Sequence, residues 1–239
     1  MMTKGIASTL FVLLALTGWT PTPQPGQLAA PGTWAIVPQA NGDVGMTFSL
    51  GWSLGTHEGR ASRVTGSVQA QVEPFAIGQG EFRVPIAAMS TGSSTRDCHM
   101  REALGIDYAR SQFPAEHVCV NDRVPMSGPD SVVFPEIVVR VRGLAPNQPA
   151  VAAISSGLPV RQPVDIAVLL ELSIHGVVKQ VLAPIRLQLM DRDTLQAETD
   201  FDVKLADFGI VVKMPPLLRV DDQAKVKLKL LLRSQSAAS

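Results

Sequence analysis

The two cysteines of the chain, Cys98 and Cys119, each have a histidine close by, His99 and His117. An isolated cysteine pair in an oxidising compartment reads as a disulfide, and closing a loop of that size stabilises by roughly 3 kcal/mol on the chain-entropy model. Metal ligation by the same cluster is a sharper alternative. It is weakened by the lack of a CxxC pair, since a structural zinc site wants four well-placed ligands. A redox accessory that holds a metal or haem through Cys98, His99 and Cys119 would draw on the same atoms, and two free thiols remain a third reading.

The tightest polar cluster is Arg96, Asp97 and His99. These residues could contact a head group or line a mouth near a helix start, where backbone N–H groups favour anions. The plainer reading is structural and is preferred. Ser94 and Asp97 have capping-box spacing, and Arg96 with Asp97 could clamp a helix to its neighbour. Thr56-His57-Glu58-Gly59-Arg60 gives a second pair, His57 and Arg60, suited to an opening or simply to a solvated turn. His175 falls in a tight turn, where exposure is the default, and His117 carries no signal. The chain has no G-x-S-x-G elbow, no HExxH and no Gly-rich phosphate loop, so it is not read as an enzyme, and no cofactor is expected.

The elements that must hold these residues show a period of two. From Val164 to Ile174 every even position is a branched apolar residue, while the odd positions include Asp165, Glu171 and Ser173. A strand puts that set on one face, whereas a helix would scatter it. The pattern recurs at Val44–Trp52, Val64–Val72, Phe82–Ala88, Val181–Leu189, Leu195–Leu205 and Val226–Leu232, the last with Lys225, Lys227, Lys229 and Arg233 on its other face. Ile137 and Val139 and the stretch Thr33–Val37 complete the count. Such one-sided alternation predicts an antiparallel sheet with one wet face, and closing about eight strands into an up-and-down barrel removes the exposed edges. A two-sheet sandwich competes. One short helix, opening near Ser94 and ending at Gly105, is predicted after the fourth strand. Long loops follow at 109–132 and 144–163. The expected inward set is Phe48, Leu50, Trp52, Phe82, Val84, Ile86, Ile166, Val168, Leu170, Leu187 and Phe201.

Export is expected from the N-terminus. Lys4 supplies a short positive region, Ile6–Leu16 is an apolar run too short to span a bilayer, and Thr20–Gly26 is broken by prolines. The expected division is 1–30 as signal peptide and Pro-rich linker and 31–239 as one barrel domain, with an uncleaved anchor as the competing reading. Hydrophobic residues make up 46% of the chain, enough for a sizeable core. Lys plus Arg equals Asp plus Glu at 21 each, so no basic footprint for nucleic acid is present. No stable membrane span is expected after processing, and a homodimer stays open.

Several stretches, in order, resemble the YceI-like family of periplasmic, lipocalin-like polyisoprenoid-binding proteins. They are Phe82–Thr91 with Gly92 and Arg96-Asp97-x-His99-Met100-Arg101, then Phe134-Pro135-Glu136-Ile137. Leu172-Ser-Ile-His175-Gly176-Val-Val-Lys179 and Asp207-Phe208-Gly209-Ile210 follow. The resemblance covers roughly 33–233 and departs from the family pattern in the long segments after Tyr108 and after Arg142. It implies a barrel whose apolar interior holds an isoprenoid or similar amphiphile, with the inward set above as its lining. His57, Arg60, Arg96, Asp97 and His99 would then be the head-group candidates. A second reading keeps the barrel as a scaffold and gives the 109–132 loop a protein partner in the envelope.

Overall fold

The computed structural model describes residues 32–37, 45–72, 75–105, 134–147, 163–212 and 217–235. It contains strands β1 (Gly32–Ile36), β2 (Gly45–Trp52), β3 (Gly55–Ala61), β4 (Thr65–Val72), β5 (Phe75–Pro85) and β6 (Met89–Ser90). After helix α1 (Ser94–Ala103) come β7 (Glu136–Leu144), β8 (Val164–Ile174), β9 (Val177–Leu189), β10 (Thr194–Lys204) and β11 (Val220–Gln235).

All pairings are antiparallel, and β4-β5-β7-β8-β9-β10-β11 form a meander. The 16-residue β11 closes it. On one side β11 pairs with β10 along its length. On the other, its first half (Val220 to Lys229) pairs with β2 and its last residues (Leu232–Gln235) pair with β1, which also pairs with β4. The result is a closed eight-strand barrel, with the ribbon β2-β3-β6 added alongside the first half of β11.

The β8–β9 hairpin turns on His175 and Gly176, with φ of 52° and 76°. Two successive positive φ values match the right-handed twist of the flanking strands, the geometry of a tight type I′ turn.

Three local expectations need correction. The segment from Phe82 to Ala88 is not one strand: β5 begins at Phe75 and stops at Pro85, and Ile86–Ala88 is a 3-10 turn held by Ile86 N–H to the Pro135 carbonyl. Leu205 belongs to a second 3-10 turn, Leu205–Phe208, which ends at Gly209 with φ 67°. Thr56–Arg60, read as a turn or strand junction, is the body of β3. With β3 and β6 added, α1 follows the sixth strand in chain order.

The core is continuous along the barrel. At the end where β1 closes the ring, Trp34, Ile166 and Val168 are 4%, 3% and 0% exposed, and the indole N–H of Trp34 donates to the Ala70 carbonyl at 3.1 Å. α1 lies at the opposite end, beyond Pro85 of β5.

Candidate functional site: an apolar cavity beneath a polar rim

The barrel interior is hollow, with a cavity of about 400 Å³. That lies within the roughly 300–1,000 Å³ typical of small-molecule sites. Its wall is built from inward residues of nearly every strand, among them Phe48, Leu50, Phe82, Val139, Leu172, Leu187 and Phe201. Among the described residues, five in the wall carry a polar side-chain group: His57, Thr91, Arg96, His99 and Thr199. Thr199 donates to the Pro184 carbonyl at 2.6 Å, which satisfies its hydroxyl within the wall. The other four stand together at the helix end.

α1 supplies half of this rim by simple periodicity. Arg96, His99, Met100 and Ala103 all line the cavity, and their i, i+3, i+4, i+7 spacing is one face of a helix. Met100, Ala103 and Thr91 were not among the expected lining residues. The helical spacing would have found the first two once α1 was assigned; Thr91 carries no signal of its own.

The orientation of α1 depends on Asp97, and here the structure corrects the capping-box reading. The N-cap is Ser93, and no side chain caps the helix. Asp97 is buried (4% exposed) and reaches back to the strand-helix junction instead. Ser90 Oγ donates to it at 2.7 Å, and the amide and hydroxyl of Thr91 donate at 2.5 and 2.6 Å. Burial by itself would raise this carboxyl. The hydrogen bonds from Ser90 and Thr91, with the Arg101 guanidinium nearby, hold it below the usual carboxylate range. With these donors in place Asp97 is a structural anchor, away from the cavity. Arg101, also buried, donates to the Met89 carbonyl at 2.9 Å and ties the last turn of α1 to β6.

Arg96 does not pair with Asp97. Its Nη2 and Nε donate to the carbonyl and hydroxyl of Thr91 at 3.1 and 3.3 Å. His57 lies face to face with Trp52, ring centroids 4.7 Å apart at 17°. Burial, and then the Arg96 charge, push the His57 imidazole below its ordinary range, so it is neutral at neutral pH. His99 is exposed, its Nδ1 3.9 Å from the Glu102 carboxylate.

The expected residues therefore divide. Phe48, Leu50, Phe82, Val84, Leu170, Leu187 and Phe201 line the cavity, as do His57, Arg96 and His99. Trp52 does not: it stacks on His57 at the end of β2. Ile86 is carried off the strand alternation by its 3-10 turn. Ile166 and Val168 are buried in the core but do not border the cavity. Arg60 is three residues from His57 along β3, so it faces the opposite side and lines grooves on the outer surface.

His175 is half-buried, contrary to the expected exposure. Its Nδ1 is 3.3 Å from the Phe208 carbonyl, and its ring meets Phe134 edge-on at 5.3 Å. Cys98 is wholly buried. Cys119 and His117, the 109–132 loop, the N-terminal 1–30 and nearly all of the 144–163 loop lie outside the described residues. No group of three or more His, Cys, Asp or Glu side chains suited to a metal ion occurs among the described residues.

A closed antiparallel barrel with an apolar hollow and a short polar rim defines a lipocalin-like binding fold. The chain belongs to the YceI-like family, whose domain model matches residues 34–232. Two solved structures are similar. One is a polyisoprenoid binding domain from Saccharophagus degradans implicated in plant cell wall breakdown, 14% identical with a TM-score of 0.57, covering 86% of this chain and 99% of that one. The other is BcnA of Burkholderia cenocepacia, 14% identical with a TM-score of 0.54, covering 79% and 99%. At this identity the likeness speaks for the fold. No match is found among curated proteins.

Proposed function

We propose that this protein is an exported barrel that carries or stores an isoprenoid-type amphiphile, with the apolar tail inside the cavity. One observation carries the reading: a cavity of about 400 Å³ whose wall is almost wholly aliphatic and aromatic. Burying a tail there yields about 0.8 kcal/mol per methylene, so a long chain binds well with few polar contacts. The scarcity of aromatic wall residues suits a flexible branched chain better than a flat ring system. The similarity to a domain described as polyisoprenoid binding supports the same class of cargo. Export rests on Lys4, the apolar run Ile6–Leu16 and the prolines after it. No helix among the described residues is long and apolar enough to cross a membrane.

The reading includes a disulfide between Cys98 and Cys119. The full burial of Cys98, and the lack of a free cysteine among the described residues, support it. Binding rather than bond chemistry is the role this reading gives the barrel, in keeping with a wall that is almost wholly apolar among the described residues.

The test is displacement of a fluorescent apolar probe, N-phenyl-1-naphthylamine, from the delipidated full chain by farnesol. Saturable one-to-one displacement is expected. A protein that binds neither molecule contradicts the carrier reading.

A further inference from the structure

Among the described residues, the cavity wall contains no carboxylate, and its one permanent charge is Arg96. The hydrogen bonds of Arg96 go to neutral acceptors on Thr91, and no acidic side chain pairs with it among the described residues. Four arginines on the outer face of the sheet are paired with acids. Arg83 contacts Glu81 and Glu136, Arg140 and Arg142 contact Glu171, and Arg186 contacts Asp165. Of the acids near the rim, Asp97 is held by Ser90 and Thr91, and Glu102 faces His99 at 3.9 Å. Arg96 thus stands without an acidic partner at the rim of the hollow.

From this we infer that the amphiphile has an anionic head, a phosphate or a carboxylate, held at the rim by Arg96 with His57 and His99 around it. The inference rests on the carrier reading above and adds the head-group chemistry to it. An apolar tail entering the hollow leaves its head at the polar cluster beside α1, and a few placed polar groups are what fix orientation in such sites. A guanidinium offers a planar fork that fits two oxygens of either anion. With Nε and one N–H of Nη2 engaged by Thr91, Nη1 and the second N–H of Nη2 are left as the fork for the ligand. A neutral His57 donates from one ring nitrogen and adds no repulsion to Arg96. Its stack on Trp52 keeps the ring from swinging away. A quinone or alcohol head would leave the Arg96 charge with nothing to match it.

Three probes with one tail separate the possibilities: farnesol, farnesoic acid and farnesyl monophosphate, titrated calorimetrically into the delipidated full chain. At least one anionic probe is expected to bind about tenfold or more tighter than farnesol, the scale of a charge-assisted contact. The tighter of the two names the head. Arg96→Gln is expected to bring that ratio close to one, and Arg96→Lys, which keeps the charge without the fork, to retain part of it. Equal binding of all three probes to the wild-type chain overturns the inference, whatever the variants do, and leaves the carrier reading standing. A preference that survives Arg96→Gln in a folded protein also overturns it, because the anion would then be held elsewhere. Failure of all three probes to bind removes the carrier reading and this one with it.

Discussion

The ring of Phe134 occupies the space that a side chain on Gly176 would need: a β-carbon built there falls 2.5 Å from Phe134 Cε1. Phe134 also closes on Gly105 just past α1, where such a carbon would lie 2.8 Å from its ring. One aromatic residue therefore wedges the end of α1 against the β8–β9 hairpin, with His175 edge-on beside it. Gly176 is required twice, by its φ of 76° and by this contact. Gly176→Ala is expected to cost about 1–3 kcal/mol. Denaturant unfolding measures the loss, and pairing the change with Phe134→Leu should recover the steric part but leave the backbone part.

Asp97 should set the acid limit of stability. Its folded-state pKa lies below the ordinary value, so the carboxylate stabilises the fold at pH above its unfolded pKa. That contribution is lost as pH falls through the folded value. Asp97→Ala is expected to cost about 2–4 kcal/mol near neutral pH, since it leaves Ser90 and Thr91 without their acceptor. The gap between wild type and variant should close as the pH is lowered to about 2. A gap that stays constant across that range would show that the carboxylate charge is not what holds the junction.

Packed and hollow regions of one interior should answer in opposite ways to the same kind of change. Ala197 lines the cavity, so Ala197→Phe fills empty space and should abolish farnesol binding with the fold intact. Val168 is 0% exposed and does not border the cavity, so Val168→Phe overpacks and should destabilise by about 1–3 kcal/mol. Thermal midpoints and farnesol titrations on both variants check the pair.

If Cys98 and Cys119 are bridged, the unfolded chain without reductant should show no reactive thiol. Cys119→Ser should then lower stability by about 3 kcal/mol. Two reactive thiols in the protein from an oxidising compartment would refute the bridge.

The strands that could be read from sequence were those with one wet face. Val164–Ile174 shows its full alternation, and the Asp165, Glu171 and Ser173 face meets water as expected. β3 escaped notice because Thr56, Glu58 and Arg60 on one face alternate with His57 and Gly59 on the other, a ribbon with little apolar contrast. Closure through β1 was equally hidden, since the split partnership of β11 leaves no mark on its own pattern. Alternation also fixes direction without filling: Val168 and Leu170 share a face, yet only Leu170 borders the hollow. At the helix start, Ser94 and Asp97 have the spacing of a capping box, but the donors on Ser90 and Thr91 compete for the same carboxylate and win. The rim could be read only in part, because Arg96 and His99 share a helix face while His57 joins them from a distant strand.

Native mass spectrometry of the full chain, purified from its own cells without detergent exchange, addresses the central claim most directly. The account predicts a protein mass that carries one amphiphile, released on activation as a chain-like lipid with an acidic head. A protein that repeatedly flies at its bare mass, from preparations in which the fold is intact, would contradict it.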